Sequence, residues 1–100
     1  MSNVTAINTI NGNSTSSWTT LSDFTDDWQA LIPTPNKITA QYIQEGLITG
    51  VQYDLVDSNT ATITVVFNSQ SSYNSYRDNS NNAFVTILTD NGWSRSESVE

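Results

Sequence analysis

Residues 50–67, GVQYDLVDSNTATITVVF, decide the fold of this chain. Two runs rich in β-branched and aromatic residues, 51–56 and 61–67, flank the turn-forming residues Asp57, Ser58, Asn59 and Thr60. Side chains alternate along a strand, so Val51, Tyr53 and Leu55 share one face, as do Ala61, Ile63, Val65 and Phe67. Setting Val51 opposite Phe67, Tyr53 opposite Val65 and Leu55 opposite Ile63 collects the large apolar residues on one side. That register predicts an odd loop, Ser58-Asn59-Thr60, with a residue in the left-handed region. The other face then carries Gln52, Asp54 and Val56 against Thr62, Thr64 and Val66. The hairpin has one dry face that needs a cover and one mostly polar face.

Covers are encoded on both sides of it. Upstream, Leu21, Phe24, Trp28 and Leu31 recur at helical spacing and predict a helix over 21–32. Thr20 is its expected N-cap, and Asp23, Asp26 and Asp27 crowd the end that the helix dipole makes favourable to carboxylates. These three carboxylates lack the glycine turn and alternating oxygen ligands of a calcium loop, so we read them as a solvated helix start. Pro33-Thr34-Pro35 stops this helix and starts a second over 35–45, with Thr34 as N-cap and Ile38, Tyr42 and Ile43 as its apolar stripe. Gly46 ends it.

Downstream, Asn68 or Ser69 can cap a helical pattern carried by Tyr73, Tyr76, Ala83, Phe84, Ile87 and Leu88. The polar run Asp78-Asn79-Ser80-Asn81-Asn82 predicts a break into 69–77 and 82–89, and Asp90-Asn91-Gly92 a stop. Outer strands complete the pattern. Residues 4–10 alternate Val4, Ala6, Asn8 and Ile10 against Thr5, Ile7 and Thr9, and Asn11-Gly12-Asn13-Ser14 is turn chemistry. Residues 93–99 alternate Trp93, Arg95, Glu97 and Val99 against Ser94, Ser96 and Ser98, an edge-like strand. Strand, helix, strand, strand, helix, strand is the order of two split βαβ units. The expected fold is α+β and ferredoxin-like, βαββαβ, a single domain over 1–100 with a four-stranded antiparallel sheet and its helices on one face.

Composition narrows the chemistry. The chain has no cysteine and no histidine, which removes disulfides, thiolate nucleophiles and the commonest general base and metal ligand. No metal and no cofactor is expected. Net charge is −7, with Lys37, Arg77 and Arg95 the only cations, so phosphate-backbone binding and a nucleic-acid partner are not expected. No run approaches the ~20 apolar residues of a membrane span. The N-terminal residues lack the basic and apolar regions of a signal peptide. A cytoplasmic or virion-associated location is expected. Asn3-Val4-Thr5 and Asn13-Ser14-Thr15 match the glycosylation pattern, and without a leader we expect them unmodified. There is no Gly-x-Ser-x-Gly elbow and no phosphate-cradling glycine loop.

Residues 46–77, a glycine-led hairpin ending in Val65-Val66-Phe67 and followed by Ser69-Gln70 and a helix bearing Tyr73 and Tyr76, resemble the dimeric α+β barrel superfamily. Within it they are similar to the antibiotic biosynthesis monooxygenase-like family. The resemblance follows this run by pattern and most of the chain by element order, and matches no catalytic motif. It implies a homodimer with two open sheet faces together, and either cofactor-free oxygenation of aromatic substrates or no catalysis. The haem-degrading members use a histidine ligand that this chain lacks.

The candidate pocket residues are Trp18, Trp28, Tyr42, Tyr53, Asp54, Tyr76 and Trp93. The aromatics, Tyr73 included, can line a site for a flat substrate, but they also sit on stripes where aromatics fill ordinary cores. Trp18 precedes its helix and is expected to be partly exposed. Asp54 and Gln52 can serve a pocket or simply face solvent. Arg77 beside Asp78, and Arg95 near Glu97, can clamp an anion or pair with neighbouring acids. Two readings follow. One is a non-catalytic association or binding module of viral or environmental-microbial origin, paired through the open sheet face. The alternative is a cofactor-independent monooxygenase-like enzyme acting on a small aromatic molecule. Pairing is expected to draw on Ile7 or Trp93 of the outer strands, or on edge pairing, and to be sensitive to Val56→Asp or Val66→Asp.

Overall fold

The computed structural model describes residues 3–31 and 33–100, the side chains of 33–36 and 79–86 excepted. The chain runs β1 (Val4–Asn11), α1 (Leu21–Leu31), α2 (Pro33–Gln44), β2 (Ile48–Leu55), β3 (Thr60–Phe67), α3 (Gln70–Asp90) and β4 (Ser94–Val99). The strands form one antiparallel sheet in the order β2-β3-β1-β4, as the split βαβ order predicts.

The deciding hairpin forms, two residues out of the predicted register. Val51 lies opposite Val65, Tyr53 opposite Ile63 and Leu55 opposite Ala61. A shift of two leaves every side chain on its face, so the dry face survives. Ile48 takes the place opposite Phe67, through a bulge between Ile48 and Gly50 that the pattern did not reveal. The loop is built around Asp57, whose Oδ1 accepts from the Asn59 N–H at 2.8 Å. Val56 N–H closes it on the Thr60 carbonyl at 2.9 Å. Thr60, predicted in the loop, is the first residue of β3, and its hydroxyl donates to Asn11 Oδ1 at 2.9 Å. The expected left-handed loop residue is absent: among the described residues only Gly46 and Gly92 have positive φ.

Thr20 and Asp23 make a reciprocal cap for α1. Asp23 N–H donates to Thr20 Oγ1 at 3.3 Å, and Asp23 Oδ2 accepts from Thr20 N–H at 3.1 Å and Thr19 N–H at 2.9 Å. The Thr19 N–H above all, then that of Thr20, holds the Asp23 carboxyl below the ordinary aspartate value of 3.8. A lowered folded-state pKa stabilises the fold above the unfolded value, and that contribution is lost as pH falls through the folded one. Asp23→Asn is therefore expected to remove part of the stability loss below pH 3.8. Parallel acid titrations followed by circular dichroism check this, and identical acid limbs would contradict it. Phe24 and Trp28 are buried as their spacing predicts, whereas Leu21 is exposed, its turn held by the cap.

α2 begins at Pro33, not Pro35. First-turn N–H groups have no intrahelical partner, so both prolines are tolerated there and Thr34 is not the cap. Tyr42 is buried and Ile38 half-buried, while Ile43 points outward. α3 runs unbroken from Gln70 to Asp90, with Ser69 as N-cap accepting from Ser72 N–H at 3.2 Å. The polar run inside it costs only about 0.5 kcal/mol per residue against alanine, less than packing returns through buried Tyr73 and Leu88. Ala83 and Phe84 lie outside the described side chains.

α2 and α3 end alike. Leu47 N–H bonds the Tyr42 carbonyl at 3.0 Å and Trp93 N–H the Leu88 carbonyl at 2.8 Å, each around a glycine at φ 76°. A Cβ on Gly46 would meet nothing, whereas on Gly92 it would lie 3.3 Å from Asn13 Cβ. Both alanine variants bear the left-handed cost of about 1–2 kcal/mol. Gly92→Ala is expected to lose more, because Asn13 must give way. Urea unfolding of the two variants compares them directly, and equal losses would contradict the crowding at Asn13.

The core lies between the sheet and the helices. Val4, Ala6 and Ile10 of β1, with Ala61, Ile63, Val65 and Phe67 of β3, meet Phe24, Trp28, Tyr42, Tyr73 and Leu88 from the helices. Loops stitch one end of the sheet together. Asn13, in a glycosylation pattern by sequence, donates from Nδ2 to the Asn91 carbonyl at 2.8 Å and accepts from Thr15 and Ser16.

Candidate functional site

The outer sheet face is set by strand parity and register. One rank across it reads Gln52, Thr64, Ile7, Ser98; the next reads Asp54, Thr62, Thr9, Ser96. Val66 lies beside Thr5, and Thr60, Asn11 and Ser94 close the far end. All are exposed or half-buried, because the buried cluster lies on the opposite parity. Of the ten acidic residues, two stand on this face: Asp54, to which Gln52 Nε2 donates at 3.1 Å, and Glu100, whose backbone pairs with Thr5 at 2.8 and 3.2 Å. Both lie at the edges of the sheet, so in a chain of net charge −7 the centre of this face is uncharged. One expected contributor is not on it: Trp93 precedes β4 and is buried, whereas Val56, 60 % exposed, continues this face one residue past β2, its N–H on the Thr60 carbonyl at 2.9 Å.

The inner face holds a cleft beneath the helices. Asn8, Tyr53, Ile63 and Phe67 contribute from the sheet, Trp28 and Tyr76 from α1 and α3. Arg77 of α3, with Arg95 and Glu97 of β4, also borders it. Its free cavity volume is about 30 Å³, although the space between atoms reaches about 570 Å³ when the open mouth is counted. Asn8, opposite Glu97 on β4 and Ile63 on β3, is 9 % exposed. Its Nδ2 donates to the Ile63 carbonyl at 3.3 Å, but its Oδ1 has no partner among the described residues. Tyr76 shares a 2.7 Å hydrogen bond with Thr39, and Tyr73 donates to Glu97 at 2.5 Å. The Arg77 guanidinium lies over the Tyr73 ring, 5.6 Å from its centre. Burial pushes the Tyr53 and Tyr76 hydroxyls above the usual tyrosine range, so both are neutral donors at pH 7.

The seven candidate residues divide among four places. Trp28, Tyr53 and Tyr76 meet in the cleft. Trp18 and Trp93 pack at 5.3 Å, and Trp18 meets Phe24 edge-on at 4.9 Å. Trp18 is 2 % exposed, contrary to expectation, because its indole N–H reaches Asp27 at 2.8 Å and its ring plugs the end of the sheet. Tyr42 bonds Ser75 at 2.8 Å and borders a shallow groove with Ile38 and Leu47. Asp54 is on the opposite side of the sheet. Asn8 was not among the seven, although its parity with Ala6 and Ile10 already placed a polar side chain in an apolar row.

Among the described residues no cluster of three His, Cys, Asp or Glu side chains could hold a metal, and no helix is long and apolar enough to cross a membrane. No family model matches the chain, and no curated protein does. The crystal structure of a dimeric ferredoxin-like protein from an uncultured marine organism is similar to it, with a TM-score of 0.67 at 11 % identity over 98 % of this chain and 92 % of that one. The fold is ferredoxin-like. At that identity the likeness carries the fold alone, and the monooxygenase-like resemblance rests on the pattern of residues 46–77.

Proposed function

We propose that this chain is a non-catalytic association module that pairs with a second copy through its outer sheet face. The observation that carries this reading is the uncharged centre of that face, whose two carboxylates, Asp54 and Glu100, stand at its edges. Two copies of a −7 chain repel, and the repulsion is least where surfaces with few carboxylates meet. Ile7 and Val66 provide the apolar centre, surrounded by threonine methyl and hydroxyl groups. The dimeric state of the marine neighbour supports the reading.

Size sets the strength. Four strands ~4.8 Å apart, with about six residues each at ~3.3 Å, give a face of roughly 400 Å² per copy. Stable complexes bury about 800 Å² per partner, so the pair is weak and concentration-dependent. Sedimentation of the purified chain should show a monomer–dimer equilibrium with a Kd on the order of 10 µM. A monomer at every concentration up to about 1 mM would overturn it. The oxygenase alternative requires a pocket of ~300 Å³ or more that encloses its substrate. The aromatic cleft has a free volume of only about 30 Å³, and the roomier groove beside Tyr42, about 470 Å³, is open and largely polar, which supports association instead.

A further inference from the structure

Three cations serve the whole chain, and two of them, Arg77 of α3 and Arg95 of β4, border the same cleft. Sequence proximity pointed to a pair between Arg77 and Asp78. Among the described residues the Arg77 guanidinium instead lies over the Tyr73 ring, 5.6 Å from its centre, and meets no carboxylate. Arg95 stands opposite Ile10 on the inner side of the sheet, two residues from Glu97 and sharing its side. Glu97 is the one acidic residue that borders the cleft among the described residues, and it already accepts from the Tyr73 hydroxyl at 2.5 Å. Two guanidinium groups against one carboxylate leave the cleft with a formal charge of +1, in a chain whose net charge is −7.

We propose that the cleft binds a short aliphatic monocarboxylate, its carboxylate held at the mouth by Arg77 and Arg95 and its alkyl end directed inward. A guanidinium presents paired N–H donors that match the two oxygens of a carboxylate. Arg77 is exposed and Arg95 half-buried, so an ion arriving from solvent meets them without crossing the core. Charge sets the ligand's valence: a monoanion is matched, whereas a dianion brings its second carboxylate toward Glu97. Depth sets its length. The free volume of about 30 Å³ holds one or two water-sized groups, such as a methyl and a methylene, against Ile63, Val65 and Phe67. A ring or a long chain has no room at that end. The cleft lies on the inner side of the sheet, away from the pairing face, so occupancy is independent of pairing.

The test is an NMR titration of the ¹⁵N-labelled chain, at fixed ionic strength, with butyrate, with its uncharged analogue butyramide, and with succinate, which has the same length and two charges. Butyrate is expected to shift the Arg77 and Arg95 side-chain Nε–H signals saturably, with a Kd on the order of 1 mM. Butyramide and succinate are each expected to bind at least about tenfold more weakly. Arg77→Gln and Arg95→Gln should each weaken butyrate binding by about tenfold. Lys37→Gln removes the cation that does not border the cleft, and should leave the butyrate Kd unchanged. No saturable shift with butyrate, equal binding of butyramide or succinate, or equal weakening by Lys37→Gln would each overturn the proposal. If an arginine variant fails to fold, the comparison of the three ligands on the parent chain decides it alone.

Discussion

Trp18→Ala is expected to lower the free energy of unfolding by about 3–5 kcal/mol, as truncation of a buried aromatic does. Small domains have only about 5–15 kcal/mol in all, so this loss is a large share of the total. The size of the effect follows from what the ring joins. Trp18 lies in the β1–α1 connection, yet it is 2 % exposed and packs on Phe24 of α1 and on Trp93 before β4. Its backbone N–H bonds the Ser58 carbonyl in the β2–β3 loop at 2.9 Å, and its indole N–H bonds Asp27 at 2.8 Å. One residue thus ties three connections to one end of the sheet, the β2–β3 loop through its backbone and the others through its ring. Trp18→Phe keeps a ring and loses the indole bond, and should cost less than the alanine variant. Urea unfolding followed by circular dichroism measures both. A loss under about 1 kcal/mol for Trp18→Ala would show that the aromatic cluster does not hold this end.

The paired substitution Ile7→Asp with Val66→Asp is expected to raise the dimer Kd by at least about 100-fold while the monomer stays folded. Both side chains are half-buried on the outer face, so solvent can hydrate the new carboxylates in the monomer. In the pair, four carboxylates would be brought between two sheets with no cation on either face to meet them. Ile43→Asp, on the 49 % exposed flank of α2, is the control and should leave pairing unchanged. Sedimentation of the three proteins separates these outcomes. Equal weakening by Ile43→Asp would mean that net charge, not the sheet face, governs association.

Most of the fold was legible because the two periodicities were clean where packing is two-sided. Residues 51–56 and 61–67 alternate, α1 carries Phe24 and Trp28 four apart, and Gly46 and Gly92 mark both stops. Register was less legible. A shift of two preserves every face, so hydrophobic pattern could not distinguish Val51 opposite Phe67 from Val51 opposite Val65. The choice lay in the Asp57 turn and in the bulge that brings Ile48 opposite Phe67. The expected break in α3 failed for a related reason: the polar residues at 78–82 weaken helix propensity locally, but packed residues on both sides outweigh it. The candidate site was half legible. Aromatic residues were found by type, but sequence could not say that Trp18 and Trp93 would meet each other rather than Tyr53. The sharper signal was Asn8, a polar residue in an apolar alternation.

The proposed pairing sets the outer sheet faces of two copies against each other. Isotope-filtered NOE spectroscopy on an equal mixture of ¹³C-labelled and unlabelled chain tests it without altering a residue. Intermolecular contacts are expected to the methyl groups of Ile7, Thr9, Thr62, Thr64 and Val66. Intermolecular contacts confined to helix methyls such as Leu31 and Ile43, or none at concentrations above the Kd, would contradict it.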